Sequence, residues 1–481
     1  MFWRGVLGYL PVQIVQGLVG LLNIIVFTRL LSAADYGVYA IGFSLVTLVH
    51  TGLFTWLEAA MARFHAPEAG SGSLPDHFAT LYRTWAALAA GMVVLAAPLL
   101  VLWPMGTALK LAIAAGLAST LFRGLVKLTQ EHRRAAGQVS RAAILDMAVT
   151  IGAFAAGAAL AAGGLGGAAP LAGVGVASAV CLAFALPAEL RLAKGGGWQP
   201  DRARRYAAFG LPVALSMILV LALSSVDRFL IAAFLDEQAV GVYHAGYSLS
   251  NRTLDVIFIW LGMAGGPAAI AAFEAGGRPA LDRVAREQAS FMVLIGLPAA
   301  VGLALVAKPL AYLFVGEGLR EGAALVTPWI AASGFFAGFT TYYLITAFTL
   351  ARDTRLLLAA MTVPAVANVA LNLLLIPRYG LPGAMWATVA SYAIGALACM
   401  ALAKKAIPLP MPWATLAKSG LACAAMALAV LQVPAIGGAA ELAAKAAVGA
   451  VVYGLVALAL DAGGARGQTR RLFGVLQARR A

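Results

Sequence analysis

The sequence predicts an all-α polytopic membrane protein with about fourteen transmembrane helices. We expect two six-helix lobes related by a parallel internal repeat, followed by two extra helices. The first observation is composition: of 481 residues, 62% are hydrophobic and 11% are charged, and the mean hydropathy is +0.89. Because a soluble domain carries roughly 25% charged residues, this composition excludes a soluble enzyme and a disordered chain. The other two observations are the placement of the charges and an internal repeat.

Fourteen apolar stretches, each bounded by charges or by Gly and Pro, approach the ~20 residues that a spanning helix needs. They lie near residues 5–28, 37–60, 84–103, 107–126, 142–162, 169–188, 208–233, 239–263, 289–307, 324–348, 356–376, 383–403, 414–432 and 441–460.

The positive charges alternate along this series of spans. With a cytoplasmic N-terminus, 26 of the 34 Lys and Arg residues fall in inner segments and five in outer segments. Cytoplasmic loops of membrane proteins accumulate Lys and Arg, so we predict that both termini are cytoplasmic. The net charge of +14 therefore reports topology and does not indicate a nucleic-acid partner. Cys181, Cys399 and Cys423 are too widely spaced for a disulfide framework or a zinc site, and we predict no metal and no cofactor.

The two halves of the chain resemble each other at a spacing of about 200 residues. GVYAIGFSL at 37–45 matches GVYHAGYSL at 241–249 in six of nine positions, and Leu-Pro-Val occurs at both 10–12 and 211–213. Six helices per repeat return the chain to the same side, which predicts lobes related by an axis along the membrane normal. We assign residues 1–200 to the N-terminal lobe and 201–405 to the C-terminal lobe. Residues 406–481 form two additional helices and a basic cytoplasmic tail.

Three segments resemble a known family: TRLLSAADYGVYAIGFSLVTL (28–48), SSVDRFLIAAFLDEQAVGVYHAGYSL (224–249) and NLLLIPRYGLPGAMWATVASY (372–392). They are similar to polysaccharide-biosynthesis flippases, whose superfamily includes the multidrug and toxic-compound extruders. The resemblance implies a transporter of the bacterial inner membrane, and not an enzyme. Its substrate would be an undecaprenyl-pyrophosphate-linked oligosaccharide, moved to the periplasmic leaflet by alternating access. Its partners would be this lipid-linked substrate, membrane lipid and other proteins of polysaccharide assembly.

Polar residues inside the spans are the candidate site residues, because a charge at the bilayer centre costs about 2.5–3.5 kcal/mol on insertion scales. Arg252 is the first candidate for binding the pyrophosphate and Arg228 the second, since the Arg fork matches phosphate. The alternative for Arg252 is an ion pair with Asp255 on the same helix. The further substrate-binding candidates are His50, Gln16, Asn23, Asn368 and Tyr342, and the coupling-ion candidates are Asp255, Asp146 and Asp227.

Three other functions compete with this prediction. A cation-coupled multidrug extruder usually has an acidic residue deep in its first helix, where this chain has Gln13, Gln16 and Asn23. A peptidoglycan-precursor flippase would be expected to have several Arg residues near the cavity in its first two helices, where only Arg4 and Arg29 lie at the ends. A membrane polysaccharide polymerase or ligase needs a large outer loop with catalytic groups, and no such loop is predicted.

Overall fold

A computed structural model describes residues 2–467. The N-terminal half contains eight helices, and a tight turn at 31–32 separates the first two. They are α1 (Phe2–Leu30), α2 (Ala33–Leu53), α3 (Thr55–Gly70), α4 (Leu74–Leu102), α5 (Thr107–Ala135), α6 (Val139–Ala162), α7 (Ala169–Leu192) and α8 (Pro200–Phe234).

The C-terminal half also contains eight helices, one of them very long. They are α9 (Glu237–Leu305), α10 (Ala307–Phe314), α11 (Glu317–Phe339), α12 (Thr346–Ala351), α13 (Thr354–Tyr379), α14 (Leu381–Ala403), α15 (Trp413–Leu431) and α16 (Gly438–Ala459). A π-helical segment (Thr340–Leu344) connects α11 to α12. The structure has no strand within residues 2–467, which confirms the predicted all-α class.

Thirteen helical stretches of the described chain are long and apolar enough to cross a membrane. The difference from the predicted fourteen arises in α9, whose 69 residues cover both the eighth and the ninth predicted spans. Gly276 and Gly277 have non-helical backbone angles inside it, and Gly277 has φ 61°. At about 1.5 Å per residue, α9 is far longer than a ~30 Å hydrocarbon core. The exact number of crossings stays a prediction.

The second predicted span, 37–60, differs from the observed helices. The backbone leaves the helix at Phe54 (φ −117°, ψ −27°), which separates α2 from α3. The ring of Phe54 is 1% exposed and packs with Leu57, Met61 and Phe78 in an apolar core. The kink at Phe54 is therefore fixed by packing of an aromatic side chain.

By internal contacts the described chain divides into two compact units, residues 1–244 and 245–481. In unit 1, α5, α6 and α7 pack together, and α8 packs against α2 and α3. In unit 2, α13 and α14 pack as a pair, and so do α15 and α16. The seventh predicted span, α8, thus lies with the N-terminal helices. The lobes predicted from the sequence repeat, at 1–200, 201–405 and 406–481, remain a prediction. Of the predicted basic tail, Arg470, Arg471, Arg479 and Arg480 lie outside the described residues.

Matched positions of the sequence repeat begin α2 and α9 in the same way. The Ser32 side chain accepts a hydrogen bond from the Asp35 backbone N–H at 3.1 Å. The Asp236 carboxylate accepts one from the Ala239 backbone N–H at 2.7 Å. Ser and Asp are favoured caps because they satisfy free N–H groups of the first turn. Both caps stand five residues before the glycine that opens the repeated nonapeptide.

Candidate functional site

Arg252 lies on α9 about 22 Å along the axis from Glu237, at ~1.5 Å per residue. Its side chain is exposed, and within residues 2–467 it forms no ion pair or hydrogen bond that would neutralise it. Asp255 instead accepts a 2.7 Å hydrogen bond from the Asn251 side chain and acts on Arg252 only through longer-range electrostatics. The expected alternative, a closed ion pair between Arg252 and Asp255, is therefore not formed. A guanidinium at this depth needs water or an anion beside it.

Tyr342 lies next to this pair, in the π-helical segment. Its ring rests on Gly262 of α9, and its hydroxyl lies within electrostatic range of the Asp255 carboxylate. We call Asn251, Arg252, Asp255 and Tyr342 the Arg252 site. All four belong to unit 2. The structure thus brings together three of the residues that the sequence predicts, Arg252, Asp255 and Tyr342.

The predicted candidate Asn368 is fully buried on α13, at 0% exposure. The Asn372 amide donates to the Asn368 carbonyl at 2.8 Å and to its Oδ1 at 3.1 Å. Among the residues that the structure describes, the remaining amide atoms, Asn368 Nδ2 and Asn372 Oδ1, have no hydrogen-bond partner. The two amides are therefore packed one turn apart inside unit 2, and contact between Asn368 and a sugar stays a prediction.

Unit 1 contains a second set of charges, arranged along α5. Arg123 and Lys127 are each half-buried, and both interact electrostatically with Glu58 and Asp146. Glu131 continues the same four-residue spacing and forms a 2.6 Å ion pair with Arg134. We call Arg123, Lys127, Glu131, Arg134, Asp146 and Glu58 the α5 cluster.

Two predicted residues, Gln16 and Asp146, meet at the edge of the α5 cluster. The Gln16 amide donates to Asp146 Oδ2 at 3.3 Å, and Arg134 lies 3.7 Å from the same oxygen. Asp146 is 7% exposed, so these donors stabilise a carboxylate that is largely removed from solvent. Asn23 is half-buried on α1, seven residues or about two turns beyond Gln16.

His50 joins the α5 cluster through Glu58. His50 Nε2 lies 2.9 Å from Glu58 Oε1, although eight residues of straight helix would separate them by about 12 Å along the axis. The kink at Phe54 brings the two side chains together. Within the described part of the chain, His50 Nδ1 is buried and has no hydrogen-bond partner, so one ring nitrogen is available.

The candidate site residues predicted from the sequence do not include Arg123, Lys127 or Glu58. The predicted fourth span ends near residue 126, and the predicted topology counts both Arg123 and Lys127 among the cations of the inner segment that follows it. The structure extends α5 to Ala135, and both cations lie inside the helix. The available signal is the spacing of Arg123, Lys127 and Glu131, which puts three charged residues on one helical face.

Asp227 and Arg228 are buried in unit 1, at 1% and 4% exposure. Their side chains lie 3.1 Å apart, and Tyr243 donates a 2.6 Å hydrogen bond to Asp227. Arg228 Nε also lies 3.2 Å from His244 Nδ1. Both predicted residues are therefore engaged by neighbouring side chains, and their roles in binding substrate or a coupling ion stay predictions.

An apolar cleft of about 480 Å³ opens between α9, α15 and α16 in unit 2. Its lining is almost entirely aliphatic, and Thr253 and Lys445 are among the few polar residues in it. Lys445 is paired with Glu441 at 2.6 Å. Thr253 directly follows Arg252 in the chain, so the same turn of α9 contributes to the cleft and to the Arg252 site.

The long apolar helices of the described residues define a multi-pass helical membrane protein. The chain belongs to the family described as "polysaccharide biosynthesis protein", whose profile matches residues 26–321. No curated protein matches the chain.

Solved structures show the same fold. The lipid II flippase MurJ in an inward closed conformation has a TM-score of 0.78 at 13% identity, over 94% of this chain and 98% of that one. An inward-facing multidrug resistance MATE transporter of the MOP superfamily has a TM-score of 0.66 at 16% identity, over 81% and 94%. A multidrug resistance MATE transporter in an outward-facing conformation has a TM-score of 0.55 at 15% identity, over 84% of this chain and 94% of that one. The profile match thus confirms the expected polysaccharide-biosynthesis family, and the solved structures show a shared fold.

Proposed function

We propose that the protein moves an undecaprenyl-pyrophosphate-linked oligosaccharide from the cytoplasmic to the periplasmic leaflet of the bacterial inner membrane. The observation that carries the proposal is Arg252, an exposed cation without an ion-pair partner in the described chain, on a membrane-spanning helix. The polysaccharide biosynthesis family supports the substrate class. The inner-segment excess of Lys and Arg supports cytoplasmic termini.

The chemistry of the substrate matches the polar groups of the Arg252 site. A pyrophosphate is a compact dianion that loses its water when it enters the membrane, and Arg replaces that water with a fork of donors. Arg252 supplies this charge in unit 2. The hydroxyl of Tyr342 and the amide of Asn251 suit the sugars next to the pyrophosphate.

The polyprenyl part of the substrate requires apolar surroundings. The cleft between α9, α15 and α16 offers them next to the Arg252 site, because Thr253 lines the cleft. We infer that part of the polyprenyl tail of the substrate lies in this cleft while the remainder of the tail stays in the bilayer. Burial in the cleft carries little net hydrophobic gain relative to lipid, so its effect is to orient the substrate.

A second candidate function is a flippase for the peptidoglycan precursor, which also carries a polyprenyl pyrophosphate. The similarity of the fold to the lipid II flippase MurJ favours it. Both candidates place the same anion at Arg252, so they differ in the group attached to the pyrophosphate. We place the polysaccharide substrate first because the family profile covers residues 26–321.

The proposal is tested in cells that depend on this protein for their surface polysaccharide. Arg252→Ala should abolish the polysaccharide and accumulate the lipid-linked intermediate, while membrane levels of the protein stay unchanged. Arg204→Ala is the matched control, since the Arg204 side chain is 83% exposed at the beginning of α8. Normal polysaccharide in the Arg252→Ala cells would overturn the assignment of this residue. Growth arrest with defective peptidoglycan would favour the second candidate.

A further inference from the structure

The π-helical segment Thr340–Leu344 gives two neighbouring tyrosines opposite environments. The Ile345 N–H donates to the Thr340 carbonyl five residues back, at 3.0 Å, which is the spacing that defines a π-turn. Tyr343 points into the core, at 1% exposure, and its hydroxyl donates to the Pro410 carbonyl at 2.5 Å. Tyr342 is half-buried and faces α9. Single π-turns inside α-helices often occur at functional sites.

Tyr342 has space on α9 only because residue 262 is glycine. A Cβ at this position would come within 2.7 Å of Tyr342 Cγ, closer than real Cβ contacts. Gly262 lies seven residues, or about two turns, beyond Asp255. The ring therefore lies along the face of α9 that carries Asp255, within electrostatic range of the Asp255 carboxylate.

A third segment fixes the backbone of Tyr342. Gln288, in the part of α9 beyond the break at 276–277, donates from Nε2 to the Tyr342 carbonyl at 3.0 Å. The Gln288 side chain is in turn held against Gly265, where a Cβ would lie 2.9 Å from Gln288 Cγ and still closer to its amide. One side chain thus links both parts of α9 to the π-turn.

We propose that Gln288 is a positioning residue: its hydrogen bond to the Tyr342 carbonyl holds the π-turn, and thereby the Tyr342 hydroxyl, in the Arg252 site. Gln288 does not touch the substrate and acts through Tyr342. Without this donor the carbonyl loses a partner in a half-buried environment, and the turn is free to adopt the α-helical pattern. The phenol would then rotate away from Asp255. The importance of this placement for transport rests on the proposed function, whereas the placement itself does not.

Two substitutions break the hydrogen bond between Gln288 and the Tyr342 carbonyl in different ways. Gln288→Met keeps the length of the side chain and removes the donor, and Gly265→Ala pushes the Gln288 amide away from the carbonyl. Gly266→Ala is a matched control one residue further along α9, because a Cβ there meets nothing within 4 Å. Variants that disturb a shared interaction are not additive. The double variant Gln288→Met/Gly265→Ala should therefore behave like either single variant.

The readout is fluorine NMR of the full chain with Tyr342→3-fluorotyrosine, in lipid nanodiscs. Gln288→Met and Gly265→Ala should move the fluorine resonance to the same new position, the double variant should add nothing, and Gly266→Ala should leave it unchanged. An unshifted resonance in Gln288→Met, or additive shifts in the double variant, would overturn the proposal. This result does not depend on the identity of the substrate.

A binding measurement connects this placement to function. The dissociation constant for undecaprenyl pyrophosphate should rise by about the same factor in Gln288→Met and Tyr342→Phe, and the factor should not grow in the double variant. A fluorine shift with unchanged binding would contradict the role of Gln288 in the Arg252 site while leaving the role of Arg252 intact. The role of Gln288 would also be contradicted if Arg252→Ala lost binding while Gln288→Met and Tyr342→Phe bound undecaprenyl pyrophosphate as tightly as the parent protein.

Discussion

Gly37 of α2 and Gly241 of α9 pack against each other's helices, backbone to backbone. A Cβ on Gly37 would collide with the Glu237 carbonyl, and a Cβ on Gly241 would collide with the Ala33 carbonyl. The two glycines occupy matched positions of the sequence repeat, and both lie in unit 1. Small residues that let backbones approach are typical of helix contacts in membranes.

This contact predicts that Gly37→Ala destabilises the protein. Overpacking of a close contact costs about 1–3 kcal/mol, so the midpoint of thermal unfolding in detergent should fall measurably. Gly91→Ala is the control, because a Cβ on Gly91 meets nothing within 4 Å. Equal midpoints for the two variants would contradict the close approach of α2 and α9.

Arg252→Lys separates charge from geometry in the Arg252 site. Lys keeps the positive charge and loses the planar fork that binds two phosphate oxygens. Hydrogen bonds to charged groups contribute about 1.5–3 kcal/mol, so Arg252→Ala should raise the dissociation constant for undecaprenyl pyrophosphate by roughly ten- to a hundredfold. Arg252→Lys should fall between this variant and the parent. Identical affinities in titrations of the three proteins would remove Arg252 from the site.

The α5 cluster predicts a charge-balance effect on stability. Arg123→Gln removes a half-buried cation that balances Glu58 and Asp146 electrostatically. It should destabilise the protein, by less than the about 3–5 kcal/mol that breaking a fully buried ion pair costs. Arg123→Gln/Asp146→Asn removes one charge of each sign and should recover part of this stability in thermal unfolding. A double variant that is no more stable than Arg123→Gln would mean that the two charges do not act on each other.

The ion pairs and hydrogen bond of the buried Glu68 carboxylate lead us to predict that the protein loses stability in acid. Its carboxylate is 6% exposed and binds Arg202, Arg205 and Ser73. Burial opposes its ionisation, but these hydrogen bonds and the two positive charges outweigh burial and lower the pKa of Glu68 below 4.5. Because the folded-state pKa is the lower one, this stability is complete above about pH 4.5 and is lost as the pH falls through the folded-state value.

Glu68→Gln should therefore lower the unfolding midpoint at pH 7, by an amount corresponding to about 1.5–3 kcal/mol. The difference from the parent should shrink as the pH falls below 4.5. Glu317→Gln serves as the control, since Glu317 is 87% exposed in its pair with Arg320. A difference that is constant between pH 3 and pH 7 would contradict the ionised state of Glu68 in the folded protein.

The sequence predicts the fold class well because hydropathy, charge placement and the repeat each act over many residues. It also places Arg252 at membrane depth. It cannot choose the partner of Asp255, since both Asn251 and Arg252 stand within one turn and only side-chain rotamers decide between them. The structure selects Asn251.

The hydropathy pattern does not predict the α5 cluster, and the reason is physical. A window of apolar residues ends where charges begin, although a helix continues wherever its neighbours supply opposite charge. Glu58 reaches the cluster only through the kink at Phe54, and Asp146 arrives on α6. These are tertiary relations, and the only local trace is the four-residue spacing from Arg123 to Glu131.

The central claim is most directly tested by transport in reconstituted vesicles. The purified protein is placed in liposomes that contain an undecaprenyl-pyrophosphate-linked oligosaccharide, and an added glycosidase reports the fraction of sugar on the outer leaflet. We predict that cleavage proceeds from about half of the sugar to nearly all of it with the parent protein and the Arg204→Ala control. With Arg252→Ala it should stop at about half, as it does in protein-free vesicles. Cleavage that stops at half with the parent protein would contradict the proposed transport.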